Sequence, residues 1–268
     1  MQIKNQNIPG IDLSVYNLSF VEKTISNRIR ETECSSFDEY VEYIKKGRTE
    51  TDNLKKALNN NFSEFFRNTL TFAFLEHHIL PALAAQKMKK RQREIRIWSA
   101  ACAAGQEPYS IAMLCDEFME KQKNGISFRI FATDISETEI QKAQQGVYTE
   151  DALKNVTLER VNNYFTQKGN HFVVNPPLKD YIDFSTFDLL SKQLNCPPAS
   201  IFGNFDLVFC ANLLFYFKPT MQKCILQKVD CCLTRKGWLI VGDAEKDIAE
   251  NKTGYIIYKH LPVLQKPV

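Results

Sequence analysis

"IRIWSAACAAGQEPYSIAMLCDEF", residues Ile95 to Phe118, is the stretch from which the fold is read. Ile95-Arg96-Ile97-Trp98 is dense in β-branched and aromatic side chains, which predicts a strand over Ile95–Ala100. Small residues follow, with one glycine, Gly105, and then at once Gln106, Glu107 and Pro108. From Pro108 to Met119 the apolar residues Ile111, Ala112, Leu114, Cys115 and Phe118 fall at helical spacing. Pro108 suits a first helical turn, where its missing N–H goes unused. The stretch is therefore a strand, a tight turn and a helix, and the small side chains let something approach the turn's backbone closely.

Outward from it the alternation continues. FRIFATD (Phe128–Asp134) reads as a strand, and Ser136–Gln145 as a helix opened by a capping box of Ser136 and Glu139. FDLVFC (Phe205–Cys210) is a strand, Pro219–Leu233 a helix, WLIVG (Trp238–Gly242) a strand and Gly254–Leu261 a last strand. Such alternation predicts an α/β fold with a Rossmann-like, doubly wound sheet. The rhythm breaks between Tyr164 and Ser185, where "HFVVNPPLKDYIDFS" predicts a small antiparallel β insertion at about 165–187. The amino-terminal third shows no strand-like alternation. Val15, Leu18, Phe20, Val21, Ile25 and Ile29 form a helical stripe, and Phe37–Ile44 forms another, begun by Ser35 or Ser36. Gly47 interrupts, Leu54–Leu58 resumes, and a further helix over Leu75–Lys90 ends in the basic "KMKKRQRE". That run is the expected seam between an N-terminal all-α domain with its linker, residues 1–90, and a sheet domain, residues 91–268.

Composition excludes several classes. The chain has 268 residues, 44% apolar and 24% charged, enough to bury a core. No run approaches the ~18 apolar residues of a membrane span, and MQIKNQNIPGIDLS has no apolar export core. A cytoplasmic location without membrane insertion is expected, with the eight cysteines as free thiols. Cysteine and histidine spacings fit no metal site. The net charge of +3 is uninformative, but Lys45, Lys46, Arg48, Lys55 and Lys56 cluster. That cluster reads either as a solvated helix face or as a docking surface for an acidic partner.

In an open α/β sheet, ligands bind outside the carboxyl ends of the strands. Three such ends carry candidates: the turn Ala100–Glu107, including Ala101, Gly105 and Glu107; Asp134 with Ile135; and Ala211-Asn212. Each has a bland reading, since Asp134 could cap a helix, Glu107 could favour a helix N-terminus and Asn212 could form a turn. Together they describe a nucleoside site, with Asp134 placed for ribose hydroxyls. The turn lacks G-x-G-x-x-G, which disfavours a pyrophosphate. S-adenosylmethionine has no phosphate and needs only one glycine.

"RIWSAACAAGQEPYSIAM", "FRIFATDIS", "FDLVFCANLLFYF" and "LTRKGWLIVGDAE" resemble the chemotaxis receptor methyltransferase (CheR) family, which uses S-adenosylmethionine. "IDLSVYNLSFVEKTISNRI", "SFDEYVEYIKK" and "LNNNFSEFFRNTLTFAFLEHHILPAL" are similar to that family's helical domain and the segment after it. The resemblance covers nearly the whole chain. It implies that NFSEFFR reaches the cofactor pocket through Asn61, Ser63 and Arg67, that Asp188 and Leu189 lie beside the adenine, and that Tyr216 stands near the reacting methyl. Read from the residues alone, Phe62, Phe65 and Phe66 are packing residues, Arg67 is a salt-bridged surface group or a functional cation, and Tyr216 is an aromatic covering the sheet edge. The implied reaction converts glutamate carboxylates in a receptor's cytoplasmic helical domain to methyl esters, leaving S-adenosylhomocysteine. A monomer that does not bind nucleic acid is expected.

This chain departs from the family pattern. Ala211-Asn212 stands where the family commonly has Arg-Asn, Asp188 where it has Asn, Ser63 where it has Thr, and Asp243-Ala244-Glu245 where it often has His-Ser-Glu. The loop Gln167–His171 is short, whereas a longer one goes with binding a receptor's tether peptide, so no tether requirement is expected. The departures motivate a rival reading as a non-catalytic scaffold that binds the cofactor or its product. A methyltransferase for nucleic acid or a small molecule would need an activating base, and no such group is identified.

Overall fold

The computed structural model describes residues 8, 10–59, 62–122, 125–200, 202–258 and 261–267. It forms two compact units, one of Met1–Asn61 with Leu214–Lys223 and one of Phe62–Leu213 with Cys224–Val268.

The first unit is helical, with α1 (Leu18–Glu31), α2 (Phe37–Lys46) and α3 (Arg48–Leu58). Ser36 caps α2 by accepting the Glu39 N–H at 3.2 Å, while the Ser35 N–H donates to the Glu39 carboxylate at 2.7 Å, so both serines serve. Val21, Ile25, Tyr40, Ile44, Leu54 and Leu58 make its core. Among them Glu50 is buried and accepts the Tyr40 hydroxyl at 2.7 Å and Arg28 Nε at 2.9 Å. Burial alone would raise its carboxyl, but these hydrogen bonds outweigh it and hold the group below its ordinary value. The short turn Leu214–Tyr216 belongs to this unit. The Tyr216 carbonyl accepts the Asn17 N–H at 2.8 Å, and its ring lies 4.6 Å from that of Phe20.

The second unit begins with α4 (Thr69–Phe74), a π-helical turn at Leu75–Ile79 and α5 (Leu80–Lys89). The alternating region then follows: β1 (Glu94–Ser99), α6 (Gln106–Gln122), β2 (Ser127–Asp134) and α7 (Glu137–Gln145). Next come β3 (Val147–Thr149), α8 (Leu158–Tyr164), β4 (Phe165–Lys168), β5 (His171–Val174), α9 (Pro176–Lys179) and β6 (Ile182–Thr186). The chain finishes with β7 (Phe205–Cys210), α10 (Pro219–Cys232), β8 (Leu233–Val241), α11 (Lys246–Thr253), β9 (Ile256–Ile257) and β10 (Val263–Gln265). Ser136 caps α7 through the Glu139 N–H at 3.4 Å, whereas the Glu139 carboxylate pairs with Lys142 at 2.7 Å instead of closing a capping box.

The main sheet runs β6-β2-β1-β7-β8-β10-β9, and β3-β5-β4 form a separate antiparallel sheet. Pairings from β6 to β8 are parallel, and those of β10 with β8 and β9 are antiparallel. β7 is buried at every position, the pattern of a parallel strand covered on both faces. Two expectations are corrected. Ile182–Thr186 is not part of the insertion but extends the main sheet parallel to β2. The carboxyl-terminal stretch is two short antiparallel strands, not one. From β1 the chain moves to β2 and β6 on one side and returns to β7 on the other, so the topological switch lies between β1 and β7.

Candidate active site

At the switch, the turn after β1 is tied to both neighbouring strands: the Ala100 N–H donates to the Phe209 carbonyl at 2.8 Å and the Cys102 N–H to the Thr133 carbonyl at 2.9 Å. Asp134 is 8% exposed and holds the same turn, its Oδ2 accepting the Ala103 N–H and its Oδ1 the Ser136 N–H, both at 2.9 Å. The bond to Ala103 helps offset that residue's left-handed φ of +46°. Burial raises the Asp134 carboxyl above its usual range, against the lowering effect of those N–H donors. Gly105 has φ +93°, and a Cβ there would lie 2.9 Å from Ala143 Cβ and 3.1 Å from Tyr148 Oη. The close approach that the small residues permit is thus made by α7 and Tyr148, whose hydroxyl donates to the Ala104 carbonyl at 2.7 Å.

Glu107, in the first turn of α6, accepts the Ser99 hydroxyl at 2.7 Å. Burial pushes its carboxyl up to about 7, the Glu245 charge adding to the rise while the Ser99 bond and the Arg67 charge oppose it. Arg67 is exposed, with its guanidinium 5.2 Å over the Phe62 ring and donating to the Phe62 carbonyl at 3.3 Å. Phe65 and Phe66 are buried as expected, but Phe62 is 60% exposed and supports Arg67 instead of the core. Phe66 has φ +48°, and its N–H donates to Ser110 Oγ in α6 at 3.0 Å, seating the NFSEFFR segment on the helix. Asn68 caps α4 by accepting the Thr71 N–H at 3.1 Å and donates to Asp243 at 2.7 Å. The Asp243 departure therefore gives Asn68, next to Arg67, a carboxylate partner.

Asn212 follows β7 in a left-handed conformation, φ +61°, and its N–H donates to Glu245 Oε2 at 2.7 Å. Ala211 is half-buried beside it, as is Ser63 in its own segment. The Phe187 N–H donates to the Asp134 carbonyl at 2.9 Å, which brings the next two residues to the same strand end. Of these, Leu189 is buried and Asp188 is exposed, accepting the Leu190 N–H at 2.8 Å; Ile135 is 53% exposed. The structure thus gathers Ala101, Gly105, Glu107, Asp134, Ile135, Asp188, Leu189, Ala211 and Asn212 at one end of the sheet, with Arg67 within electrostatic reach of Glu107. Tyr216 lies in the helical unit, and Asn61 lies outside the described residues. Ser99, Ser110 and Asn68 escape a reading of the sequence. Glu245 appears there only as the last residue of Asp243-Ala244-Glu245, set beside the family's His-Ser-Glu.

Residues 61–259 match the CheR methyltransferase SAM-binding domain, and residues 7–58 the CheR methyltransferase all-alpha domain. The chain belongs to the CheR methyltransferase family. It is 31% identical to the chemotaxis protein methyltransferase of Borreliella burgdorferi, covering 92% of this chain and 87% of that one. Identity to the chemotaxis protein methyltransferase of Escherichia coli is 31%, over 88% of this chain and 79% of the other. For chemotaxis protein methyltransferase 1 of Pseudomonas aeruginosa it is 34%, over 88% and 85%. This CheR-family chain is an S-adenosylmethionine-dependent methyltransferase. The residues present fit a cationic nucleoside: two partly or wholly buried carboxylates, Glu107 and Asp134, face the switch. Next to Glu107, Gln106 carries a buried Oε1 acceptor for which the described residues supply no donor. Among the described residues no helix is long and apolar enough to cross a membrane.

Proposed function

We propose that this chain methylates glutamate side chains in the cytoplasmic helical domain of chemotaxis receptors, giving methyl esters and S-adenosylhomocysteine. The observation that carries the reading is an exposed guanidinium, Arg67, within electrostatic reach of a carboxyl, Glu107, at the switch of a CheR-type sheet. S-adenosylmethionine supplies a methyl group activated on a sulfonium. Asp134 accepts hydrogen bonds from ribose hydroxyls, Asp188 and Leu189 flank the adenine, and Glu107 faces the cationic amino-acid end. Ser63 and the Ala211-Asn212 turn border the reacting centre. Arg67 orients the incoming carboxylate by a charge-assisted contact.

A glutamate with an ordinary pKa of ~4.3 is already ionised at neutral pH, so no base is needed. What remains for the protein is alignment in a pocket that excludes water, and near-attack geometry can supply roughly 7–11 kcal/mol. The two-residue turn Gly169-Asn170 between β4 and β5 supports transfer that does not depend on a receptor tether.

The test is labelled methyl transfer into membrane receptors, with S-adenosylhomocysteine affinity measured in parallel. Base-labile label in receptors with and without their carboxyl-terminal tails is the expected result, together with a loss of about 100-fold or more in transfer for Arg67→Ala. Cofactor binding with no methyl ester would instead favour a scaffold. Normal turnover and normal substrate affinity in Arg67→Ala would remove the role given to that residue.

A further inference from the structure

Asn212 holds a φ of +61°, a left-handed conformation that asparagine visits more readily than most residues and that a fixed neighbour holds in place here. What determines it is Glu245, fully buried at 0% exposure. Glu245 Oε2 accepts the N–H groups of Asn212 and Gly242, both at 2.7 Å. Asn212 belongs to the loop after β7 and Gly242 to the loop after β8. One carboxylate oxygen therefore ties together the carboxyl ends of two adjacent parallel strands.

The arrangement leaves no slack. The Glu245 N–H donates back to the Gly242 carbonyl at 2.9 Å, fixing the backbone that carries the carboxylate. A Cβ on Gly242 would lie 2.5 Å from Asn212 Nδ2 and 2.9 Å from Glu245 Oε2. A buried charge is a costly way to staple two loops, since a neutral amide oxygen could accept the same two bonds without losing ionic hydration. The charge also has an effect beyond the staple, because it reaches Glu107.

We propose that Glu245 is a positioning residue for methyl transfer, locking the Ala211-Asn212 turn at the switch and holding negative charge within electrostatic reach of Glu107. This rests on the reading that transfer takes place at this end of the sheet. Burial acts most strongly on the Glu107 carboxyl; beside it, the groups that influence Glu107 are Ser99 from β1, Arg67 from the segment before α4 and Glu245 after β8, and the Glu107 charge in turn raises the buried thiols of Cys102 and Cys210. Of these, Glu245 is the one that pushes Glu107 upward, so removing its charge lets Glu107 ionise at lower pH.

The test uses the full chain as wild type, Glu245→Gln and Glu245→Ala. S-adenosylhomocysteine binding is titrated calorimetrically between about pH 5.5 and 8.5, and single-turnover transfer is measured at saturating cofactor. The Gln oxygen keeps both N–H bonds, so affinity at neutral pH stays within about three-fold while the pH midpoint of binding falls below that of the wild type. Glu245→Ala loses about 100-fold or more in transfer, whereas its affinity for S-adenosylhomocysteine falls less than about ten-fold. An unshifted midpoint in Glu245→Gln, wild-type binding without any pH midpoint, or an undiminished transfer rate in Glu245→Ala would each overturn the proposal. Should Glu245→Ala fail to melt cooperatively, the midpoint in Glu245→Gln decides alone. A wild type that binds S-adenosylhomocysteine but methylates no receptor would sink the substrate reading, and the midpoint would still test the role of Glu245.

Discussion

With the cofactor held as proposed, its cationic end and the protein's own stability pull the Glu107 carboxyl in opposite directions. Its value of about 7 lies above the ordinary 4.5, so between those values the folded protein holds a proton that the unfolded chain has released. The group's contribution to stability is therefore complete below the ordinary value and lost as pH rises through about 7. A bound cation favours the ionised form, so cofactor affinity rises over the same window and binding releases protons. Glu107→Gln should remove both slopes. At about pH 8 the ligand-free variant should melt no lower than wild type, yet bind S-adenosylmethionine about ten-fold or more weakly. Thermal melts and calorimetry in buffers of different ionisation enthalpy check this. Glu107 is visible in the chain as an acidic residue beside a strand end. Its pKa is not, because that depends on burial first and then on Ser99, Arg67 and Glu245 arriving from three other segments. The same limit applies to the three phenylalanines of NFSEFFR, where a positive φ at Phe66 decides which ring faces out.

Elements follow from local pattern more closely than single side chains do. β1, α6, β2, α7, β7 and α10 lie within two or three residues of where periodicity and caps place them. Pairing partners are another matter. The run Ile182–Thr186 looks like any half-buried strand, and only the path of the chain puts it beside β2 and not in the small sheet. Gly105 illustrates how an element junction restricts a residue. Alanine there would meet Ala143 at 2.9 Å and carry φ +93°, so Gly105→Ala should cost about 2–4 kcal/mol in denaturant unfolding. Gly169→Ala, at φ +59° with nothing within 4 Å, should cost only about 1 kcal/mol. Equal losses at the two positions would mean that α7 does not constrain the turn.

For the molecule as a whole, charge distribution matters more than net charge. Lys45 and Lys46 end α2, and Lys55 and Lys56 end α3, where cations favour the helix dipole by a few tenths of a kcal/mol each. That local benefit explains their presence without any partner. A docking role makes a further demand, that the effect on receptor methylation be electrostatic and screened. Reversing all four charges should weaken methylation about ten-fold or more at low ionic strength. The deficit should shrink as salt shortens the Debye length towards ~3 Å at 1 M. Binding of S-adenosylhomocysteine should not change. A deficit independent of salt would assign the lysines to helix stability alone.

The sequence by itself determined the alternating α/β core, the helical amino-terminal region, the strand ends that carry acidic residues and, through its motifs, the CheR family. These are legible because periodicity, caps and short motifs act within a few residues of one another. Only the tertiary structure decided that α7 is what crowds Gly105, that Phe62 supports Arg67, and that Glu245 joins the loops after β7 and β8. Those facts come from contacts between segments far apart in the chain, whose energies depend on burial and on partners no local pattern contains.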